Sequence, residues 1–302
     1  MSKILVTGGA GFIPSHLVDA LLKDDHDVTS IDNFITGKKE NISKNENLTF
    51  IKADVNKFEE LEPVIRKGNF DYIFHYAALV GVHRTIKNPI GVLNDLSGLE
   101  NIFFLAKDTN VKKIFFSSSS EVYGEPVELP QREYHTPLNS RLPYAVIKNV
   151  GECFCKSYKQ EHNLDYTIFR FFNTYGKRQS EDFVVSKFLD LAKQNKDITV
   201  YGTGMQTRTF CYIDDHIEAT TKAFRDNTYN NEIVNIGNDE ETTVLQLAET
   251  IIELLNSKSK IIHLDPLEEG DMTRRQPDVE RMKSLLSRNF TSLEQGIKKI
   301  IK

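Results

Sequence analysis

"TGGAGFIPSH", residues 7–16, is a glycine-rich turn set between two different periodicities. The run before it, "KILVT" (3–7), has the composition of a buried strand, and "FIPSHLVDALL" (12–22) after it has the apolar spacing of a helix. Gly8, Gly9 and Gly11 lie in the turn, and Pro14 stands where a dinucleotide-binding turn has its last glycine. In such a turn the helix N-terminal N–H groups, here of Gly11, Phe12 and Ile13, receive a pyrophosphate. Position 14 is in the first turn of that helix, where an N–H has no intrahelical partner, so proline removes no needed donor. Its ring occupies the space that glycine would leave for close helix–strand packing. The sequence therefore predicts a turn that still binds its cofactor, with a slightly displaced helix.

Asp32 ends the next strand-like run, "DVTSID" (27–32), and is followed by Asn33. A carboxylate there can accept hydrogen bonds from ribose hydroxyls and repels a 2′-phosphate, so NAD is expected rather than NADP. Further β-branched and aromatic runs follow: "LTFIKAD" (48–54), "DYIFHYAA" (71–78), "KKIFFSSS" (112–119) and "DYTIFRFF" (165–172). Helical patterns separate them. Apolar strands at this spacing predict an α/β fold, a doubly wound parallel-sheet (Rossmann) domain over 1–172. Beyond 173 the rhythm loosens: "DITVYG" (197–202), "EIVNIG" (232–237) and "KIIHL" (260–264) alternate with helices near 183–195, 214–226, 243–256 and 278–287. Residues 173–302 are expected to form a smaller, interleaved substrate domain, with 208–238 completing the sheet. A cleft between the two parts is the expected ligand site.

Composition narrows the function classes. A chain of 302 residues with 39% hydrophobic residues can bury a substantial core, and a formal net charge of -5 leaves no basic footprint for nucleic acid. Three cysteines are too few for a disulfide framework or a structural zinc site, so no metal is expected. No apolar run approaches the ~20 residues that cross a bilayer, and the N-terminus lacks the order of a signal peptide. A cytoplasmic protein without membrane contact is expected.

"PYAVIK" (143–148) places Tyr144 and Lys148 four residues apart on one helix face, with Pro143 suited to the helix start. A lysine ammonium beside a tyrosine, with a nicotinamide ring nearby, favours a phenolate that can take a proton from a sugar hydroxyl. Ser119, at the end of the fifth strand, can bond the same hydroxyl. In "SSSSEVYG" (117–124), Glu121 follows two residues after Ser119, and strand spacing would put both side chains on one face.

In order along the chain, "TGGAGFI", Asp32, "KADV", "HYAA", "SSSSEVYG", "PYAVIK", "RFFNTYGKRQ" and "VYGTGMQTRTFCYIDD" resemble the extended short-chain dehydrogenase/reductases. The likeness is to their NAD-dependent nucleotide-sugar epimerase, dehydratase and decarboxylase branch, and it spans essentially the whole chain. The resemblance implies that Asp54 and Val55 flank the adenine, Ala77 and Ala78 the cofactor diphosphate, and Lys148 the nicotinamide ribose. Asn173, Arg208 and Arg274 or Arg275 would meet the diphosphate of a nucleotide sugar, a UDP-sugar above all; Arg178 is a weaker candidate. Homodimers through a helix pair are usual among such proteins. Two positions depart from the family pattern: Pro14, and Asp95-Leu96-Ser97-Gly98-Leu99, where an asparagine-valine-x-glycine-threonine run is common.

All branches begin by oxidising the sugar at C4. Simple 4-epimerases need no further acid or base and usually carry a small neutral residue at the place of Glu121. In 4,6-dehydratases the glutamate removes the C5 proton, and many have an aspartate at the position of Ser120. In UDP-glucuronate decarboxylases the pattern is serine-glutamate, with an arginine in a segment similar to "RRQPDV" (274–279), which Arg275 matches. Ser120, Glu121 and Arg275 together favour the decarboxylase, ahead of a 4-epimerase and then a dehydratase. "YAALVGVHRTIKNP" (76–89), expected to line the sugar pocket, matches no single branch. A non-catalytic sensor of NAD and nucleotide sugar is the alternative from another class.

Overall fold

The structure is a computed structural model that describes residues 1–81, 85, 87–266 and 274–302. Its residues group into two compact units, the first of Met1–Val122, Ser140–Arg170 and Thr220–Val234, the second of Tyr123–Asn139, Phe171–Ala219 and Asn235–Lys302.

The first unit is built on β1 (Lys3–Thr7), β2 (Asp27–Asp32), β3 (Leu48–Lys52), β4 (Tyr72–His75), β5 (Lys113–Ser119) and β6 (Asp165–Phe171). With a seventh strand at Glu232–Ile236 they form a parallel sheet in the order seventh–β6–β5–β4–β1–β2–β3. β1 pairs with both β2 and β4, so the strand order reverses between β1 and β4. In doubly wound sheets ligands bind outside the strand C-termini at this reversal. Here that point joins Thr7, which leads into the glycine turn, to His75, with which it is paired in register. The strand "DYIFHYAA" ends at His75 and not at Ala78, because the next two backbone N–H groups turn into the Thr7 hydroxyl at 3.0 Å each.

Helices α1 (Phe12–Lys23), α2 (Phe58–Gly68), α3 (Pro89–Leu93), α4 (Asp95–Lys107) and α5 (Pro143–His162) belong to this unit. β5 is buried along all seven residues, as a strand covered on both faces must be. Its consecutive phenylalanines serve opposite layers. Phe115 stacks on Phe74 at 4.4 Å and 10° with Phe224 edge-on, and Phe116 lies beneath α5. α5 begins on Pro143 at its N-terminus and stops at Asn163, which takes the left-handed conformation (φ 56). Gly151, in the middle of α5, faces the Phe116 ring so closely that an added Cβ would overlap it. The missing side chain is what lets the helix carrying Tyr144 and Lys148 settle on the strand carrying Ser119.

In the second unit β7 (Thr174–Tyr175) pairs with β10 (Cys211–Tyr212), β8 (Ile198–Tyr201) with β13 (Ile261–Leu264), and β9 (Thr207–Thr209) with β12 (Glu241–Thr243), the last pair antiparallel. The seventh sheet strand is β11. The helices are α6 (Val184–Lys193), α7 (Ile213–Arg225), which runs across residues 219 and 220, α8 (Val244–Leu254), α9 (Glu280–Leu286) and α10 (Leu293–Ile301). Residues 123–139 group with this unit because Gln131 forms a bridge to Pro277 and exchanges backbone bonds with Gln276 and Asp278.

Gly151→Ala is expected to lower stability by about 1–3 kcal/mol through overpacking against Phe116. Urea unfolding of the two proteins measures it, and an unchanged midpoint would contradict the close α5–β5 seating.

Candidate active site

The glycine turn is held by its own backbone. Gly8 and Gly9 N–H groups both donate to the Ile31 carbonyl, at 2.7 and 3.1 Å, and Gly11 N–H donates to the Gly8 carbonyl at 2.8 Å. Gly8 has φ 75, and a Cβ there would stand 3.0 Å from the Ala77 Cα, so only glycine fits. α1 has Gly11 as N-cap, without a side-chain cap and without an acid in its first turn. Its first helical bond runs from Ser15 N–H to the Gly11 carbonyl at 3.2 Å. Pro14 is thus the third helical residue, at a position whose N–H would have had no helical partner, and it is buried. A positive helix end, backbone donors and a turn stripped of side chains suit a pyrophosphate.

Asp32 is 7% exposed; it accepts hydrogen bonds from Ala10 N–H at 3.0 Å and Phe34 N–H at 2.7 Å. Burial raises its pKa, and these two bonds oppose the rise. Each carboxylate oxygen keeps capacity for a further donor. A Cβ at Gly37 would stand 2.7 Å from both oxygens, so the bare loop keeps Asp32 approachable. Asn33 spends its side-chain oxygen on Ile35 N–H at 3.0 Å, shaping the same loop. At the end of β3, Asp54 accepts from Asn56 N–H at 2.9 Å, and the Val55 carbonyl accepts from Asn101 at 2.9 Å. Across the strand reversal, Thr7 Oγ1 accepts from Tyr76 and Ala77 N–H, so its single proton goes to His75 Nδ1 at 2.9 Å. Burial foremost, then the Lys148 charge, pushes His75 down to about 3 and keeps it neutral. This pair fixes the start of the Ala77–Ala78 segment. The residues of this region fit an NAD cofactor: the turn would hold its phosphates and Asp32 would hold its ribose.

The residues expected to handle protons, Ser119, Tyr144 and Lys148, belong to the first unit. Lys148 is buried, and its Nζ donates to the Ser117 carbonyl at 2.7 Å, with the Ser117 hydroxyl at 3.3 Å and the Tyr144 ring centre at 5.8 Å. Burial pushes Lys148 down to about 8, and Asp95 acts the other way. Asp95 itself accepts from Leu79 N–H at 2.8 Å and from Asn56 at 3.4 Å, with burial raising its pKa. Tyr144 is half-buried in the first turn of α5.

Glu121 requires a correction. β5 ends at Ser119, and residues Ser120–Tyr123 form a 3-10 turn, so strand alternation does not set the Glu121 side chain. Within that turn the Ser119 Oγ accepts from Glu121 N–H at 3.2 Å, tying the Glu121 backbone to Ser119.

The residues expected at the substrate diphosphate belong to the second unit. Arg274 is exposed, and its fork is held by Glu241 at 3.1 and 2.6 Å, with Thr207 on the same carboxylate. Arg208 donates to the Thr207 carbonyl at 2.7 Å, and β9–β12 pairing sets it opposite Thr242. Arg275 is 6% exposed, Asn173 is half-buried, and Arg178 is exposed with φ 70. In the expected sugar-pocket segment 76–89, positions 82–84 and 86 lie outside the described residues. Among the described residues there is no metal-binding cluster and no helix long and apolar enough to cross a membrane. Thr7, His75 and Ser117 were not singled out by sequence; a polar residue inside an otherwise apolar strand was the available signal.

A doubly wound sheet with a glycine turn at its reversal, an acid on β2 and a tyrosine–lysine helix beside a strand-end serine defines a nucleotide-cofactor redox enzyme. Residues 4–237 match the NAD dependent epimerase/dehydratase family, and the chain belongs to that family. It is 38% identical over 99% of its length to a Methanocaldococcus jannaschii protein named "Putative UDP-glucose 4-epimerase", covering 97% of that protein. It is 37% identical over 99% of its length to Danio rerio UDP-glucuronic acid decarboxylase 1, covering 72% of it. Among solved structures, UDP-glucose 4-epimerase with UDP-glucose from Thermotoga maritima superposes with TM-score 0.93 at 30% identity, covering 99% of this chain and 97% of that one.

Asp32→Asn is expected to narrow the preference for NAD over NADP by at least tenfold, since it removes the charge that repels a 2′-phosphate. Titration of both cofactors checks it; an unchanged ratio would take the ribose away from Asp32. For Lys148, the folded value of about 8 lies below the ordinary 10.5. Between those values the unfolded chain binds more protons, so stability of the cofactor-free protein rises with pH across that window. Lys148→Met should flatten part of that rise in urea midpoints taken from pH 7 to 10.

Proposed function

We propose that this chain oxidises a UDP-sugar at C4 and uses the ketone to decarboxylate a glucuronate-type sugar, with residues 1–172 chiefly holding NAD and 173–302 the substrate. The observation that carries the decarboxylase is a carboxylic acid, Glu121, in the turn directly after Ser119, with its backbone N–H tied to the Ser119 hydroxyl. An enzyme that only epimerises at C4 has no use for a carboxylate there.

Ser119 and Tyr144 would both bond the C4 hydroxyl of the sugar. Ser119 Oγ already accepts from Glu121 N–H, which leaves its own proton to donate toward the sugar oxygen. Tyr144 then takes the hydroxyl proton, and the buried ammonium of Lys148, anchored on the Ser117 carbonyl, stabilises the phenolate. NAD, when bound, supplies the acceptor for the C4 hydride. The C4 ketone stands β to the C5 carboxylate, so the C5–carboxyl bond breaks with its electron pair delocalised onto the C4 oxygen, and carbon dioxide leaves. Arg275 holds the carboxylate or, with Glu121, delivers the proton that quenches C5. Tyr144 would hand its proton back to the C4 oxygen when the ketone is reduced, which closes the cycle.

A 4-epimerase is the second reading, favoured by the close superposition on the Thermotoga maritima epimerase. A 4,6-dehydratase is less well served, since Ser120 is a poor acid for a leaving hydroxyl. Homodimers in the cytoplasm complete the proposal.

Incubation with NAD and UDP-glucuronate is expected to release carbon dioxide and a UDP-pentose in equal amounts. Tyr144→Phe should lower that turnover by about 10²- to 10⁴-fold while NAD still binds. Epimerised UDP-sugar without carbon dioxide selects the 4-epimerase, and NAD binding with no product selects the sensor.

A further inference from the structure

Each of the three serines that close β5 is engaged. Ser117 Oγ donates to the His75 carbonyl at 3.2 Å and supports Lys148, and Ser119 Oγ accepts from Glu121 N–H. Between them, Ser118 Oγ donates to Glu152 Oε1 at 2.6 Å. Glu152 is fully buried on α5, and it is gripped by the fork of Arg170 from β6: Nε to Oε1 at 2.8 Å and Nη2 to Oε2 at 2.7 Å. Arg170 is 1% exposed. Tyr144, Lys148 and Glu152 follow one another at four-residue steps, so they share one stripe of the helix.

Burying two full charges is costly, and such pairs can often be replaced by apolar side chains of similar volume without loss of stability. Stability alone is therefore a weak reason for this one. Its geometry supplies another. The Gly151–Phe116 packing brings α5 close to β5 but is non-directional and leaves the helix free to slide or roll. A bidentate guanidinium–carboxylate pair, with a serine hydroxyl on the same carboxylate, is directional and fixes both movements.

We propose that Glu152 and Arg170 are positioning residues that lock the rotation and height of α5 on β5, holding Tyr144 and Lys148 in register with Ser119. This rests on the assignment of those three residues as the proton-handling set. Proton transfer needs heavy atoms within about 2.6–3.2 Å, and a misplacement near 1 Å can cost about a hundredfold in rate.

The test compares wild type, Glu152→Leu/Arg170→Met, Ser118→Ala and Tyr144→Phe, using UDP-glucuronate, UDP-glucose and UDP-N-acetylglucosamine as probes. Urea unfolding, NAD affinity, kcat and KM are measured for each. The double variant should still unfold cooperatively in urea and bind NAD within about twofold, while kcat falls about a hundredfold with KM little changed. Ser118→Ala, which removes one bond and leaves the pair, should lose about tenfold in kcat alone. A double variant with wild-type kcat, alongside an inactive Tyr144→Phe, overturns the positioning role and spares the catalytic assignment. A fully active Tyr144→Phe overturns the catalytic assignment, and so does a wild type that turns over none of the probes; the positioning role then falls too. If the double variant does not fold, Ser118→Ala decides: unchanged kcat overturns the proposal, and a tenfold loss with intact NAD binding upholds it.

Discussion

A lysine ammonium buried against a backbone carbonyl is the constraint on which the site depends. Lys148 gives up most of its hydration and receives the Ser117 carbonyl at 2.7 Å in exchange. That exchange is possible only because α5 comes close to β5, and it comes close because residue 151 has no side chain to meet Phe116. The cost of burial is visible in the depressed pKa of Lys148, and the same burial places its charge beside Tyr144. One packing event thus accounts for both the burial of Lys148 and its place beside Tyr144.

The cofactor side follows from a second close approach, at the reversal between β1 and β4. Gly8 can come near Ala77 only with φ 75 and no Cβ, and the Thr7 hydroxyl pins the Tyr76–Ala77 backbone from the other side. The two approaches meet in His75: its Nδ1 takes the Thr7 proton and its carbonyl accepts from Ser117. Turn, β4 and β5 are thereby connected by buried hydrogen bonds within the sheet. Pro14 is compatible with this arrangement because it occupies a helical position that needs no donor.

Much of this could be read in the sequence because it is written in periodicity and in glycine. β1, β2 and the glycine turn fall where the pattern of "KILVTGGAG" and "DVTSID" puts them, and the Tyr144–Lys148 spacing translates directly into one helix face. What escaped was set by single hydrogen bonds. β5 gives way at Ser119 to a 3-10 turn in which the Ser119 hydroxyl accepts from Glu121 N–H, and pleat counting cannot show that change of conformation. α10 is only nine residues long, too short for periodicity to stand out, yet Ser292 and Gln295 form a capping box that marks its start. Glu152 and Arg170 did leave a signal: a charge inside the run "TIFRFF" and another on the strand-facing stripe of α5. Buried charges occur in pairs, but which pair forms is a matter of tertiary structure.

The most direct measurement is a crystal structure of the protein with NAD and UDP-glucuronate bound. The nicotinamide is expected beside Tyr144, with Tyr144 Oη and Ser119 Oγ both within about 2.6–3.2 Å of the sugar C4 oxygen and Lys148 still on the Ser117 carbonyl. A sugar whose C4 oxygen meets neither hydroxyl, or a dinucleotide bound away from the Gly8–Ile13 turn, would contradict it.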